Sequence, residues 1–173
     1  IPSDFPTSSP TSKENTAPTT KQLRHQPRLI VHTGDGKGKT TAAFGMALRA
    51  WAQGWNIGVY QFIKSTKWRS GEQRALETLG NSGDGGQVTW STMGQGWTWL
   101  RANADLDQVE LALAGWQRVR DLLARQAHDF YLLDEFNHVL ARGWIDVDEV
   151  VEVLTNRPGT QHGVITGRGA PAA

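Results

Sequence analysis

An α/β domain with a mostly parallel sheet flanked by helices is the fold class this sequence predicts, and three observations predict it. From Arg28 onward, short apolar runs alternate with helical stretches, the order of βαβ units. A glycine-rich turn lies between the first apolar run and the first helix. The run Phe130-Tyr131-Leu132-Leu133 is apolar without a break, as expected of a strand buried on both faces. A chain of 173 residues suits one such domain.

The elements follow in order. Residues 1–27 hold five of the seven prolines, with Ile1, Phe5 and Leu23 as almost the only apolar side chains. They cannot offset the cost of ordering their backbone, so a flexible tail is expected, either inert or ordering over a ligand or partner. The folded domain is placed at residues 28–173. Leu29-Ile30-Val31-His32 reads as the first strand, and Thr40 to Trp51 as an alanine-rich helix stopped by Gly54. Ile57 to Ile63 is a second strand and Gly71 to Leu79 a short helix. Four glycines in residues 80–86 make a loop. Gln87 to Trp90 forms a third strand, and Ser91 to Asn103 an irregular segment carrying tryptophans. Asp105 caps a long helix reaching about Ala127, with Val109, Leu113, Trp116, Leu122 and Leu123 at helical spacing. The fourth strand is Phe130 to Leu133. Asp146 opens another helix, which Asn156-Arg157-Pro158-Gly159 ends, and Val164-Ile165-Thr166 is the fifth strand.

Composition excludes several functions. Eighteen basic and seventeen acidic residues leave a net charge of +1, which argues against a dedicated nucleic-acid or membrane-surface binder. The absence of cysteine removes disulfide scaffolds, thiolate zinc sites, iron–sulfur clusters and cysteine nucleophiles. The five histidines show no paired metal-ligand spacing. No apolar run has the length of a membrane span and no signal peptide is evident, so a soluble cytoplasmic protein is expected.

The chemistry concentrates in Thr33-Gly34-Asp35-Gly36-Lys37-Gly38-Lys39-Thr40-Thr41, which leads from a strand into a helix. Glycines at 34, 36 and 38 let successive N–H groups point at anionic oxygens, and the helix N-terminus adds its positive end. Lys39 can reach phosphate oxygens, and the Thr40 hydroxyl can ligate Mg²⁺. The common pattern G-x-x-x-x-G-K-[ST] would place a glycine where Thr33 stands, so Gly34 makes the turn and the loop is a variant. These features make the expected fold P-loop NTPase-like, in the RecA-like sense. Asp134 and Glu135 end the buried fourth strand, an arrangement that holds Mg²⁺ or its waters in such folds. Side chains alternate along a strand, so the two carboxylates need not share a role. Kinases, motors and switches share these parts, so the reaction stays open at this level.

Trp97 and Trp99 flank Thr98, just after glycines at 94 and 96. The rings read either as core packing or as a mobile platform for a flat ligand. Taken with this segment, the motifs at 34–45 (GDGKGKTTAAFG), 59–64 (VYQFIK), 71–72 (GE), 96–99 (GWTW), 133–135 (LDE), 156–159 (NRPG) and 165–168 (ITGR) come in the order and spacing of a known family. From Leu29 to Arg168 the chain resembles the P-loop-type ATP:corrinoid adenosyltransferases, which act on cob(I)alamin or cob(I)yrinic acid a,c-diamide. The Gly34 variant of the loop is typical of that family. Its members continue beyond the position of Gly169 with a further helical and strand segment, so the C-terminal end of the domain is expected to be missing here.

The resemblance implies that ATP gives its 5′-deoxyadenosyl group to the cobalt of a corrinoid and that triphosphate leaves. It implies ATP lying reversed relative to ordinary P-loop enzymes, presenting C5′ to the acceptor. Residues Gly34, Asp35, Gly36, Lys37, Gly38, Lys39, Thr40 and Thr41 would then hold the triphosphate, with Thr40 and Glu135 serving Mg²⁺ or Mn²⁺. Arg49 matches a family arginine and is placed near the nucleotide. Trp97, standing where the family has phenylalanine, and Trp99 would fill the lower face of the corrin. Excluding the axial ligand there eases reduction of Co(II), so both rings join Lys39 as catalytic candidates. A homodimer and an electron donor are also implied. The competing readings are a P-loop phosphotransferase or ATP-hydrolysing switch with another substrate, and a nucleotide-binding interaction module without chemistry.

Overall fold

The computed structural model describes residues 17–24, 26–63, 70–93 and 108–172. Trp97, Trp99 and Asp105 lie outside the described residues. Among the described residues, β1 (Leu29–His32), β2 (Ile57–Gln61), β3 (Val88–Thr92), β4 (Phe130–Asp134) and β5 (His162–Thr166) form one sheet in the order β1-β5-β4-β2-β3. Every pairing is parallel. A parallel sheet must be covered on both faces, and here it is.

Side chains in a strand alternate between faces, and the two halves of the core follow that period. Ile57, Val59, Phe130, Leu132 and Val164 point to one face, where α2 (Lys39–Trp51) and α3 (Gly71–Gly80) add Ala43, Phe44, Ala47 and Leu76. Tyr60, Tyr131, Leu133 and Ile165 point to the other face. There α4 (Gln108–Ala124), α5 (Phe136–Ala141) and α6 (Val147–Thr155) supply Trp116, Val119, Phe136, Val139 and Leu154. The small residues of α2 let its axis lie close on the sheet, which sets the height of its N-terminus above the strand ends. On the far face, Trp116 Nε1 and Arg120 Nη1 both donate to Glu149 Oε1, at 3.0 and 2.7 Å, joining α4 to α6.

The element boundaries depart from expectation in physically readable ways. The second strand ends at Gln61 rather than Ile63, because Ile63 takes a φ of 66°, which no strand accommodates. The third strand is shifted to Val88–Thr92, following its register with β2. The long helix ends at Ala124, with Gln126 at a φ of 52° turning the chain toward β4. Asp146 caps α6 as expected, its side chain accepting from the Glu149 N–H at 2.9 Å. Two helices were not expected. One is α1 (Thr20–Arg24), inside the stretch read as a tail; the other is α5.

Candidate functional site

In a parallel sheet of this type, ligands gather where the strands end at their carboxyl side, and the site is built there. β1 delivers the chain into the loop, where Gly34 and Gly38 have φ of 103° and 104°. A residue with a Cβ would be strained at either position, so the curl of the loop requires glycine. Gly38 is also the N-cap of α2, and no side chain caps its first amides, which leaves those donors to a ligand. The Lys39 ammonium lies across the loop, donating to the carbonyls of Gly34 and Gly36, both at 2.5 Å. It has three N–H groups, so one remains for a phosphate oxygen even in this pose.

Residues Gly36 to Thr41 line a cavity of about 370 Å³ together with Glu135, His138 and Arg168. Gly34 and Asp35 belong to the loop just before that lining. The lining therefore brings Lys37, Lys39 and Arg168 around one space, with a single carboxylate among the described residues, Glu135, beside them. Glu135 takes a left-handed conformation, φ 60°, and opens α5. Such a conformation costs a non-glycine residue on the order of 1 kcal/mol. It turns Glu135 out of the strand, and its N–H donates to Thr166 Oγ1 at 3.0 Å. The Glu135 carboxylate then meets His138 Nε2 at 3.0 Å, one helical turn on. Arg168 reaches the same space because Gly167, at φ 131°, packs against Asn137, whose amide donates to the Gly167 carbonyl at 3.0 Å.

The other carboxylate behaves differently. Asp134 is fully buried on the α2 face of the sheet. Its Oδ1 accepts from Thr40 Oγ1 at 3.0 Å and from Thr166 Oγ1 at 2.8 Å, and its Oδ2 accepts from Gln61 Nε2 at 2.9 Å. Strand alternation separates the two neighbouring acids, one beneath the helix and one in the cavity. A hydroxyl has one proton to donate, so Thr40, giving it to Asp134, keeps its lone pairs for another partner.

A divalent cation fits this donor set. Among the described residues no three His, Cys, Asp or Glu side chains converge as a cage. Magnesium, which binds proteins through one or two oxygen ligands plus phosphate and water, needs no such cage. The Thr40 hydroxyl and the Glu135 carboxylate, on one cavity, offer that minimum.

Arg49 is not brought to this site. It lies in the last turn of α2, roughly 15 Å along the axis from Lys39. There it lines a separate cavity of about 250 Å³ with Arg28, Trp55 and His162, at the opposite ends of the strands. Sequence reasoning gave no role to Gln61, Thr166, His138 or Arg168. Gln61 and Thr166 share the strand parity of Asp134, a signal that becomes usable only once the sheet order is known.

Comparisons with known proteins give the family. The family described as ATP:corrinoid adenosyltransferase BtuR/CobO/CobP matches residues 25–173. The chain is 43% identical over 141 residues to the corrinoid adenosyltransferase CobA of Salmonella typhimurium, covering 82% of this chain and 67% of that protein. A corrinoid adenosyltransferase of Escherichia coli matches with the same identity and coverage. That of Pseudomonas aeruginosa is 38% identical over 142 residues, covering 82% of this chain and 66% of its own. The chain thus spans about two thirds of the length of these relatives. By this family match and these identities, this chain belongs to the ATP:corrinoid adenosyltransferase family and is an enzyme of that type.

Proposed function

We propose that this enzyme transfers the 5′-deoxyadenosyl group of ATP to the Co(I) centre of cob(I)alamin or a precursor corrinoid, releasing triphosphate, in the making or salvage of adenosylcobalamin. The observation that carries the reading is the convergence of Lys39, Thr40, Glu135 and Arg168 on one cavity at the open N-terminus of α2. In the transfer, the cobalt electron pair forms the bond to C5′. The C5′–oxygen bond breaks, and its electron pair leaves with the triphosphate. Two reactants must be held in line, so positioning is the main task of the protein.

The charge that develops sits on the leaving triphosphate, and the residues lining the cavity are suited to receive it. Lys39 and the amides at the start of α2 would hold its oxygens, with Lys37 and Arg168 adding positive charge around them. Thr40 and Glu135 would hold Mg²⁺ or Mn²⁺, which, when bound with the nucleotide, neutralises triphosphate charge as a Lewis acid. Trp97 and Trp99 would present apolar faces to the corrin. The enzyme would work as a cytoplasmic homodimer, with a separate electron donor reducing Co(II).

The test is anaerobic incubation with ATP, magnesium and chemically generated cob(I)alamin, followed by absorbance of the cobalt–carbon product and by analysis of the released phosphates. One triphosphate per adenosylated corrinoid is expected. ADP with transfer or release of one phosphate would assign the loop to phosphoryl transfer. ATP binding without corrinoid-dependent turnover would leave a nucleotide-binding module.

A further inference from the structure

Gln61, Asp134 and Thr166 end three neighbouring strands, β2, β4 and β5, on the same face and at the same height. Gln61 is in direct register with Asp134, and Thr166 follows Ile165, whose register partner is Leu133. All three are buried, with exposures of 3% or less. The arrangement is directional: both neighbours donate to Asp134, Thr166 to Oδ1 and Gln61 to Oδ2, and Oδ1 also receives the Thr40 hydroxyl. Thr166 in turn accepts from the Glu135 N–H, so the same hydroxyl touches the backbone of the cavity acid.

A carboxylate held at one oxygen only can turn about its χ2 axis, because that torsion is broad. The Gln61 amide blocks this rotation by occupying Oδ2, and Thr166 fixes Oδ1 beside Thr40. We propose that Gln61 and Thr166 are positioning residues that lock the Asp134 carboxylate, and through it hold the Thr40 hydroxyl with its lone pairs available to the nucleotide-bound cation. Their contribution is therefore to the metal-dependent part of nucleotide binding, while the loop amides and Lys39 supply a part that needs no metal. The inference rests on the nucleotide site of the proposed function, and its test separates the two.

The experiment measures the affinity of the full chain for ATP by calorimetry, once with magnesium and once with EDTA, and takes the ratio as the metal increment. Gln61→Met keeps the length and volume of the side chain and removes the donor. Thr166→Val does the same for the hydroxyl, and Thr166→Ser restores it. Thermal melts run beside each variant. Loss of a partner that orients a metal ligand costs about tenfold or more in metal affinity. A roughly tenfold smaller metal increment is expected in Gln61→Met and Thr166→Val, with affinity in EDTA unchanged and the increment recovered in Thr166→Ser. A wild-type increment in both folded variants, or equal losses with and without magnesium, would overturn the positioning role while leaving the nucleotide site standing. A wild-type protein that binds ATP equally with and without magnesium would overturn the positioning role alone, and one that binds no ATP in either condition would overturn both.

Discussion

Acid should weaken this protein through one half-buried imidazole, and the size of the effect follows from its surroundings. His128 stands before β4, packed over Gly58, where even a methyl group would approach its ring to 2.5 Å. Its Nε2 lies 2.7 Å from the Tyr60 hydroxyl. Burial holds His128 down at about 4; Asp129 opposes this, and the cations of Arg125 and Arg118 add to it. Burial also pushes Tyr60 up, so the phenol keeps its proton and donates to a neutral ring. In the unfolded chain the imidazole titrates near its ordinary value of about 6.5. The unfolded state therefore binds the proton first as pH falls. Stability is full above about pH 6.5, declines from there to about pH 4, and is flat below. A gap of about 2.5 pH units corresponds to about 3 kcal/mol for a wholly buried group, and partial solvent contact reduces this to about 2 kcal/mol. His162 is lowered by burial too, with Arg157 and Arg28 assisting and Asp129 opposing, and it adds loss of the same sign as the pH falls below the ordinary imidazole value. Urea denaturation followed by tryptophan emission at about pH 7 and about pH 4.5 measures the sum. His128→Gln cannot titrate but can still accept from Tyr60, so it should lose about 2 kcal/mol less than the wild type over that interval. Equal losses in the two proteins would refute the reasoning.

Three further outcomes are expected. Lys39→Ala should lower turnover by about a hundredfold, or roughly 3 kcal/mol of transition-state stabilisation, with an unchanged melt; near-normal kinetics would remove the phosphate-loop role. Trp97→Ala with Trp99→Ala should impair turnover from cob(II)alamin with a mild reductant far more than turnover from preformed cob(I)alamin, leaving ATP affinity little changed. Equal loss of both activities in a folded protein would sink the ligand-displacement role. Gly86→Ala should cost about 3 kcal/mol or more, because its Cβ would stand 1.8 Å from the backbone oxygen of Trp55, which cannot give way as a side chain could; a melt within a degree of wild type would contradict that packing.

What could be read from the chain, and what could not, divides by range. β1, the loop and α2 were legible because their signals are local: three successive apolar residues before His32, glycines at the turning points, and alanines at helical spacing. β4 was legible because burial on both faces writes itself as an unbroken apolar run. α5 escaped because it has six residues, no side-chain cap, and a glutamate in a left-handed conformation at its start. The contacts of the site escaped for another reason. Thr166 joins Asp134 only because β5 inserts between β1 and β4, and nothing in the order of residues announces that insertion. His138, one of the five histidines without paired metal-ligand spacing, meets Glu135 through one turn of a helix that was not expected. Arg49, named from a resemblance alone, lies at the far end of its helix.

The same insertion governs how the molecule comes into being. Among the described residues β1 pairs with β5 alone, Leu29 with Gly163 and His32 with Thr166, across about 130 residues of intervening chain. On a ribosome adding 5–20 residues per second, the strand that carries the nucleotide loop waits on the order of ten seconds for its partner. Until then β2, β3 and β4 can pair among themselves, whereas β1 offers unpaired amides beside Leu29 and Val31, which are 39% and 46% exposed among the described residues. Of the five strands described, the first made is thus the last one seated. Folding of this enzyme should be slow, dominated by that single long-range closure, and its nascent chains should be most open to aggregation before β5 emerges.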